Sequence, residues 1–589
     1  MSKSAIMRIL MNDSNLFLTR RQFFQLACGT LASTVLWGCQ DKRSGSSVNE
    51  NSKILVFHNG IVLPVDDKFS EHQAFAIKEN KILSVGSNKS ILSSAGSDAE
   101  VIDLKRRTVL PGFIEPHIHF TLMAFTGNWL DIGPLKYETT EDALAALKKV
   151  ASQGSIDEWI VARQFDPSLQ KGPAMLTTRE LDKVSSTRSV FILNASGHLA
   201  YVNSRLLKLA GINRDTPNQP GAEYFRFADG TPNGAMTQKA WVPILTSNKE
   251  LLKVFDSGAV DAGIQVGNEA AALGITTLCD MATGGASGYR EIDNYRKMFA
   301  TGQMKSRIRA YLYSEVAEVW DKSGIKFGEG DENVRVAGWK IVSDGSNQGR
   351  TGRQREPYLN SYDIGIFYVQ PEELKKMVKQ RAQQGWPLAL HGNGDAAIDS
   401  ILDAVEAAAK EGINVKGLRC RIEHCSILHD EQIKRMAKLG VVPSFLINHV
   451  YFWGKAMRDD VFGQEKVQLL DRCASVEKAG LKWSMHSDAP VSPMGTLHKI
   501  RVAVARDLWR EPGNVLAPQE KVSVEAAIRA VTINAAWQCH SENEIGSLEA
   551  GKLADFVILD ADPRKVKPTA ISEIGISETW MDGQQVFRS

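Results

Sequence analysis

From Lys53 onward, apolar and polar positions alternate with the two-residue period of strands. Ile54-Leu55-Val56-Phe57, the turn-forming pair Asn59-Gly60 and Ile61-Val62-Leu63 read as a hairpin. Ala74 to Ile77 and Ile82 to Val85, either side of Asn80-Lys81, repeat the pattern. Val101 to Leu104 and Thr108 to Leu110 complete a short all-β run. The far end behaves alike, with an apolar run at Asp555 to Leu559 and a hairpin from Trp580 to Phe587 turning at Asp582-Gly583. Two β-rich ends around a long middle predict one small β-sandwich domain built from residues 53–110 and 538–589.

The middle, residues 111–537, alternates apolar strand-like runs with helical stretches. Strands are predicted at Ser189 to Leu193, Thr276 to Asp280, Ile308 to Leu312, Val334 to Ile341, Pro387 to Leu390, Arg421 to Glu423, Val441 to Ser444 and Lys482 to Met485. Helices are predicted at Thr140 to Ala151, Pro371 to Gln384, Ala396 to Glu411, Asp430 to Leu439 and Ser523 to Val531. This alternation predicts an α/β fold with a parallel sheet, a (β/α)₈ barrel. Residues from about 129 to 248 stand out as an inserted subdomain, irregular in Gly, Pro and Asn from Asn213 to Asn233.

The first 52 residues follow neither pattern. Thr19-Arg20-Arg21-Gln22-Phe23-Phe24 resembles a twin-arginine (Tat) export motif. The apolar run Leu26 to Trp37 falls short of the about 20 residues a membrane-spanning helix needs. Leu36-Trp37-Gly38-Cys39 resembles a bacterial lipobox, with Trp37 unusual at its place. Residues 1–39 then form a signal removed on export, and Cys39 is the lipidated start of the mature chain. Residues 40–52 form a polar, Ser-rich tether. The other reading is an uncleaved N-terminal anchor. The first reading implies the Tat machinery as a partner and a periplasmic or cell-envelope location on a lipid anchor.

Composition narrows the class. Of 589 residues, 43% are apolar and 23% charged, the balance of a globular chain with a large core. A net charge of +2 gives no electrostatic case for nucleic acid as partner. The seven cysteines form no paired CxxC ladder, so neither a zinc ribbon nor a disulfide scaffold is indicated. Cys420 and Cys425 either pair or, the favoured reading, remain buried thiols.

Candidate chemistry sits at strand ends. In Glu115-Pro116-His117-Ile118-His119 the two histidines are two residues apart, and in an extended segment they point to one side and can share an ion. His391 and His424 each follow an apolar strand, Asp488 ends another, and Lys340 lies inside an apolar run. In a (β/α)₈ barrel all these ends face one mouth, where imidazoles and a carboxylate can gather round a metal. Taken singly, each has a structural explanation: core histidines, a Lys340 that snorkels or pairs with Asp344, a capping Asp488.

As an ordered set they resemble the amidohydrolase superfamily. Pro111-Gly112-Phe113, His117-x-His119, Lys340, His391, His424 and Asp488 point to its amidohydrolase-3 branch, which includes N-substituted formamide deformylases. Gly197-His198 with Val202-Asn203-Ser204, Asp344-Gly345, Asp395-Ala396 and Gly546 to Phe556 also match. The resemblance implies that His117 and His119 hold a deeper metal and that His391 and His424 hold a second. It implies a Lys340 carboxylated by carbon dioxide that bridges the two, and an Asp488 that ligates and takes the proton from attacking water. A buried lysine amine is easily left neutral, the form that reacts with carbon dioxide. Zinc is the expected ion, one or two per chain, with manganese, iron and cobalt as alternatives.

His198 either polarises a substrate carbonyl or is a structural histidine of the insert. His449 and Trp453 either line the substrate pocket or belong to a packed aromatic cluster. His429, His486, His498 and His540 read as structural or surface residues. Glu115 replaces the aspartate common before this His-x-His, with little consequence expected. The implied reaction is hydrolysis of a non-peptide C–N bond, amide or formamide-like, in a small molecule. The alternatives are an ester, cyclic amide or amidine substrate, or an exported binding lipoprotein on a degenerate hydrolase fold. Homo-oligomerisation is compatible with all of these.

Overall fold

Eight parallel strands make the centre of the molecule: β1 (Phe113–Ile118), β2 (Ile275–Thr283), β3 (Arg307–Tyr313), β4 (Val334–Val342), β5 (Leu388–Gly392), β6 (Arg421–His424), β7 (Val442–Phe445) and β8 (Ser484–Met485). The structure is a computed structural model that describes residues 53–219, 222–253 and 258–589. The twin-arginine motif, Cys39 and the tether lie outside the described residues. Each strand pairs in parallel with the next. Between β8 and β1 the ring is nearly closed, by one parallel bridge from Ile118 to Ala489. The fold is therefore the predicted α/β barrel. The strands read as almost unbroken apolar runs because helices cover the outside and side chains fill the inside.

The helices earn their place by periodicity. Asp395–Lys410 buries Ile398, Ile401, Leu402, Val405 and Ala408, one face at a three-to-four-residue spacing, and packs on Pro371–Gln383. Asp430–Leu439 ends at Gly440, whose left-handed backbone (φ 71°) stops the helix. The predicted strand at Ser189 to Leu193 forms, as Val190–Asn194, but in the insert's sheet. The first barrel strand is instead Phe113–Ile118, the His-x-His segment itself.

The terminal segments meet in two sheets. One is four-stranded, in the order Lys81–Gly86, Ala74–Lys78, Ile54–His58, Glu100–Asp103. The other is five-stranded, in the order Ile61–Val62, Thr108–Pro111, Phe556–Leu559, Ile576–Met581, Gln584–Arg588. The predicted hairpin at Ile54 to Leu63 does not form. Ile54–His58 pairs with Ala74–Lys78, whereas Ile61–Val62 pairs with Thr108–Val109 in the opposite sheet. Asn59, left-handed at φ 57°, turns the chain across the sandwich, which lets both apolar runs bury against the shared core. That core stacks Phe57 on Phe75 (4.7 Å) and Phe556 on Trp580 (5.4 Å), with Phe57 edge-on to Phe556.

Residues 130–237 contribute a separate six-stranded sheet with its own two apolar layers. Phe191 and Met236 face one layer, Ile192 and Tyr201 the other, as strand alternation requires.

The barrel is fastened to the C-terminal sheet through Arg307. This fully buried guanidinium donates to Asp555 at 3.0 and 3.1 Å and to Asp582 at 2.5 Å. Replacing Arg307 with Met strands the buried Asp555 carboxylate. Chemical denaturation is expected to show a loss of about 3–5 kcal/mol; an unchanged midpoint would mean the link carries no stability.

Candidate metal centre

His117 lies in β1, with His119 just past its end; Lys340 is in β4, His391 in β5 and His424 at the end of β6. Asp488 follows β8. All six gather at the C-terminal mouth of the barrel. His424 and Asp488 have left-handed backbones, φ 64° and 57°, a strained conformation for residues with a Cβ. Such outliers concentrate where a side chain must be aimed rather than merely packed.

His117 Nε2 and His119 Nε2 each lie 3.1 Å from Asp488 Oδ1. Among the described residues that buried oxygen has no hydrogen bond despite both close nitrogens. The His117 ring is oriented from behind, where Nδ1 donates to Glu423 Oε2 at 2.6 Å. Its Nε2 lone pair is thereby turned on the Asp488 carboxylate. Two lone pairs and an anion converging on one point are mutually repulsive unless a cation sits among them. Ligand atoms held at about 2.0–2.1 Å by one tetrahedral ion stand roughly 3.3 Å apart, close to the spacings here. The residues therefore fit a divalent metal.

Burial would push the Glu423 carboxyl up, but Arg421 and His117 outweigh it and bring it down to about 2. Burial likewise opposes ionisation of Asp488, whereas positive charge on His117 or His424, when either is protonated, draws it well below the usual carboxylate range.

The second half of the cluster is arranged differently. His391 Nδ1 lies 3.0 Å from His424 Nε2, so these two nitrogens face each other. His391 Nε2 is turned outward, 3.2 Å from the Gly345 carbonyl. His424 Nδ1 is buried without a hydrogen bond among the described residues and lies 3.8 Å from Asp488 Oδ2. The Lys340 amine is 3.5 Å from His117 Nε2, and burial lowers it to about 8 against the pull of Glu423 and Asp488. Lys340 does not pair with Asp344, which accepts instead from the backbone of Arg353, Asn393 and Gly394.

Two neighbours matter more than their sequence reading allowed. His486 is fully buried, stacked on His117 with ring centres 4.4 Å apart, and 3.2 Å from the Ser444 carbonyl. It stands two residues before Asp488, the same spacing that marked His117 and His119. Glu115 was expected to be of little consequence. Both of its oxygens are used: Oε2 accepts from the buried Lys499 amine at 2.5 Å and Oε1 from the Ser487 backbone at 2.9 Å. Cys420 and Cys425 are both buried free thiols.

Above the cluster opens a cavity of about 530 Å³ whose floor includes His119, Lys340, His391, His424 and Asp488. The insert supplies the facing wall, with His198 and Trp241. The His198 ring lies 5.2 Å from that of His391. His449 and Trp453 are not brought to this cavity. His449 is buried beside Ser426, 3.2 Å from its hydroxyl. The Trp453 indole donates to the buried Asp166 at 2.7 Å. The His449 ring packs inward, whereas Phe452 and Trp453 line a smaller neighbouring cavity.

Comparison with known proteins follows the same lines. Residues 100–587 match the model of the amidohydrolase family. An N-substituted formamide deformylase of Arthrobacter pascens is 29% identical over 538 residues, covering 90% of this chain and 97% of that protein. A putative amidohydrolase of Bacillus subtilis is 26% identical, covering 90% and 99%. In fold, the chain is similar to an uncharacterised metal-dependent hydrolase from Pyrococcus horikoshii (TM-score 0.67, 22% identity, covering 88% and 99%). One from Pyrococcus furiosus gives a TM-score of 0.64 at 23% identity, covering 87% and 100%.

The orienting role of Glu423 is testable. Glu423→Gln keeps the shape but no longer favours the proton on His117 Nδ1. Metal affinity, measured by competition with a chelator, is expected to fall about 10- to 100-fold; an undiminished affinity would remove Glu423 from the centre.

Proposed function

This chain belongs to the amidohydrolase family, a hydrolase of the metal-dependent class, and we propose that it cleaves the C–N bond of a small non-peptide amide of the formamide kind. The observation that carries this reading is the convergence of His117 Nε2, His119 Nε2 and an otherwise unsatisfied Asp488 oxygen on the floor of a cavity. The formamide preference is supported by the relative named an N-substituted formamide deformylase.

His117, His119 and Asp488 would hold the first ion. His391, His424 and a carbon-dioxide-derived carbamate on Lys340 would hold a second. Zinc suits imidazole and carboxylate donors best. A divalent ion bound there lowers the pKa of water and polarises a carbonyl.

The chain's own groups do the rest. Asp488 would accept the proton of the attacking water through Oδ2, the oxygen 3.8 Å from His424 Nδ1. The same carboxyl then returns the proton to the leaving nitrogen. His198, on the facing wall, would donate a hydrogen bond to the oxyanion as it forms. Leu122, Phe125, Trp241 and Leu245 give the cavity an apolar lining that receives the nitrogen substituent and displaces water.

The site is proposed to work outside the cytoplasm, because a twin-arginine-type signal and a lipobox-like Cys39 precede the fold. Among the described residues no helix is long and apolar enough to cross a membrane; attachment is proposed to run through a lipid on Cys39.

Two experiments test these proposals. Metal analysis of the purified protein is expected to give two divalent ions per chain, with less in Lys340→Ala, and Asp488→Asn should lower kcat/KM on N-substituted formamides at least about 100-fold. Near-normal turnover in Asp488→Asn would refute the assigned proton carrier; a chain that binds no metal even after reconstitution would point to a binding protein. Separately, Cys39→Ala is expected to move the protein from the membrane to the soluble fraction. Unchanged membrane association would sink the lipid anchor.

A further inference from the structure

The cavity over the metal centre is not the only space at the barrel mouth. A second one, of about 300 Å³, lies beside it. Arg163, Gln164, Ala195, Pro490 and Val491 line both, so these residues form the partition between the two.

Arg163 and Gln164 are adjacent in the insert strand Ile160–Phe165. Neighbours in a regular strand point to opposite faces and could not both line one space. Here the strand bulges: Ala162 pairs with Ile192 and Phe165 with Asn194, so Arg163 and Gln164 together oppose the single residue Leu193. Gln164 takes a left-handed backbone, φ 70°, to do so. A bulge at such a place re-aims side chains at the cost of a ladder position. Its far end is anchored, since the Gln164 amide donates to the carbonyl of Pro490, two residues after Asp488.

The side chain so aimed is a cation without a counter-ion. Among the described residues the Arg163 guanidinium makes no hydrogen bond and no ion pair, and its Nε is buried. The other charges nearby are accounted for. Lys239 pairs with Glu315 at 3.3 Å, and Asp131 with Lys136 at 3.2 Å. Lys340 belongs to the metal centre. Glu269 lines only the smaller space, is exposed on helix Ala259–Ala272, and lies beyond ion-pair distance of Arg163. An arginine with a desolvated Nε and free terminal nitrogens offers the planar fork that a carboxylate fills with parallel hydrogen bonds.

We propose that Arg163 is a specificity-determining residue: it binds a carboxylate of the substrate at the junction of the two cavities, while the scissile bond lies at the metal centre. The substrate class is then an amide that carries both an apolar group, for the larger cavity, and an anionic group, for the junction. This rests on the amide-hydrolase reading above but is tested apart from it, by binding.

Two probes of matched shape serve, 3-phenylpropanoate and 3-phenylpropanamide, titrated calorimetrically into the metal-loaded wild type, Arg163→Lys and Arg163→Met. The wild type is expected to bind the carboxylate about 10- to 100-fold more tightly than the amide, a charge-assisted pair. In Arg163→Met the preference is expected to fall to within about threefold, with Arg163→Lys between, since a point charge replaces the fork. A carboxylate that sits on the metal alone would keep its preference in Arg163→Met, and that result overturns the proposal. So does a wild type without preference. Should the Met variant not fold, Arg163→Lys decides alone: a weakened preference supports the fork and an unweakened one overturns it. If the binding preference is lost with Arg163 but no amide is ever hydrolysed, the anion site stands and the assigned reaction falls.

Discussion

A chain of buried polar side chains crosses the barrel from Arg421 through Glu423 to His117. Arg421 Nε lies 2.5 Å from Glu423 Oε1, and Glu423 Oε2 accepts from His117 Nδ1 at 2.6 Å. Burying an unpaired carboxylate at this depth would cost several kcal/mol. Arg421 offsets that cost; its Nη2 donates to the Pro116 carbonyl at 2.6 Å and its guanidinium lies over the face of Tyr311. Because β1 and β6 are not neighbours in the ring, the link is a strut rather than part of a ladder. It decides which His117 nitrogen carries the proton, and so which one faces Asp488. The donor set depends on that choice.

Asp488 needs separate support, because β8 has only two residues and no ladder extends to it. Glu115 supplies it by accepting the Ser487 amide, and Lys499 neutralises Glu115. The His119 amide donates to the Ala489 carbonyl at 2.8 Å, and the next amide, Phe120, to Asp280 at 3.0 Å. The ends of β1 and β8 are thus fixed to one another at the point where the ring is weakest. Closing the barrel and bringing His119 and Asp488 together are the same set of contacts.

Much of this could be read from the chain before folding. Parallel strands buried on both faces leave long apolar runs, so the barrel was visible, as were the polar residues that interrupt those runs at their ends. What failed were inferences that needed a partner. The run from Ile54 to Leu63 has the residues of a hairpin, but which sheet a strand joins is decided by segments hundreds of residues away, such as Phe556–Leu559. His449 looks like a pocket residue because it is aromatic and polar-tipped; Ser426, which claims that tip, lies 23 residues away. Glu115 read as a conservative change because Lys499 gives no sign, in a helical sequence, that it is buried. His486 was legible in principle, through its two-residue spacing from Asp488.

The bulge at Arg163 and Gln164 shows why reaction and substrate separate in legibility. The candidate metal ligands sit on or just past strands whose register is enforced by burial, so their spacing in sequence maps closely onto geometry. The insert's sheet carries its own apolar layers and needs the barrel only as a neighbour, so its edges can change without disturbing the ligands. A single extra residue in one of its strands turns two side chains towards the cavity, and no periodicity in Ile160–Phe165 announces it. Yet the insert is not independent at this point. Gln164 holds Pro490, and Pro490 follows directly on the segment that positions Asp488. A substrate group bound as proposed at Arg163 would engage an insert segment bonded to the loop of the proposed proton carrier. The proposed recognition at the junction and the placement of Asp488 would then share a hydrogen bond, which would join the specificity of the cavity mechanically to its chemistry.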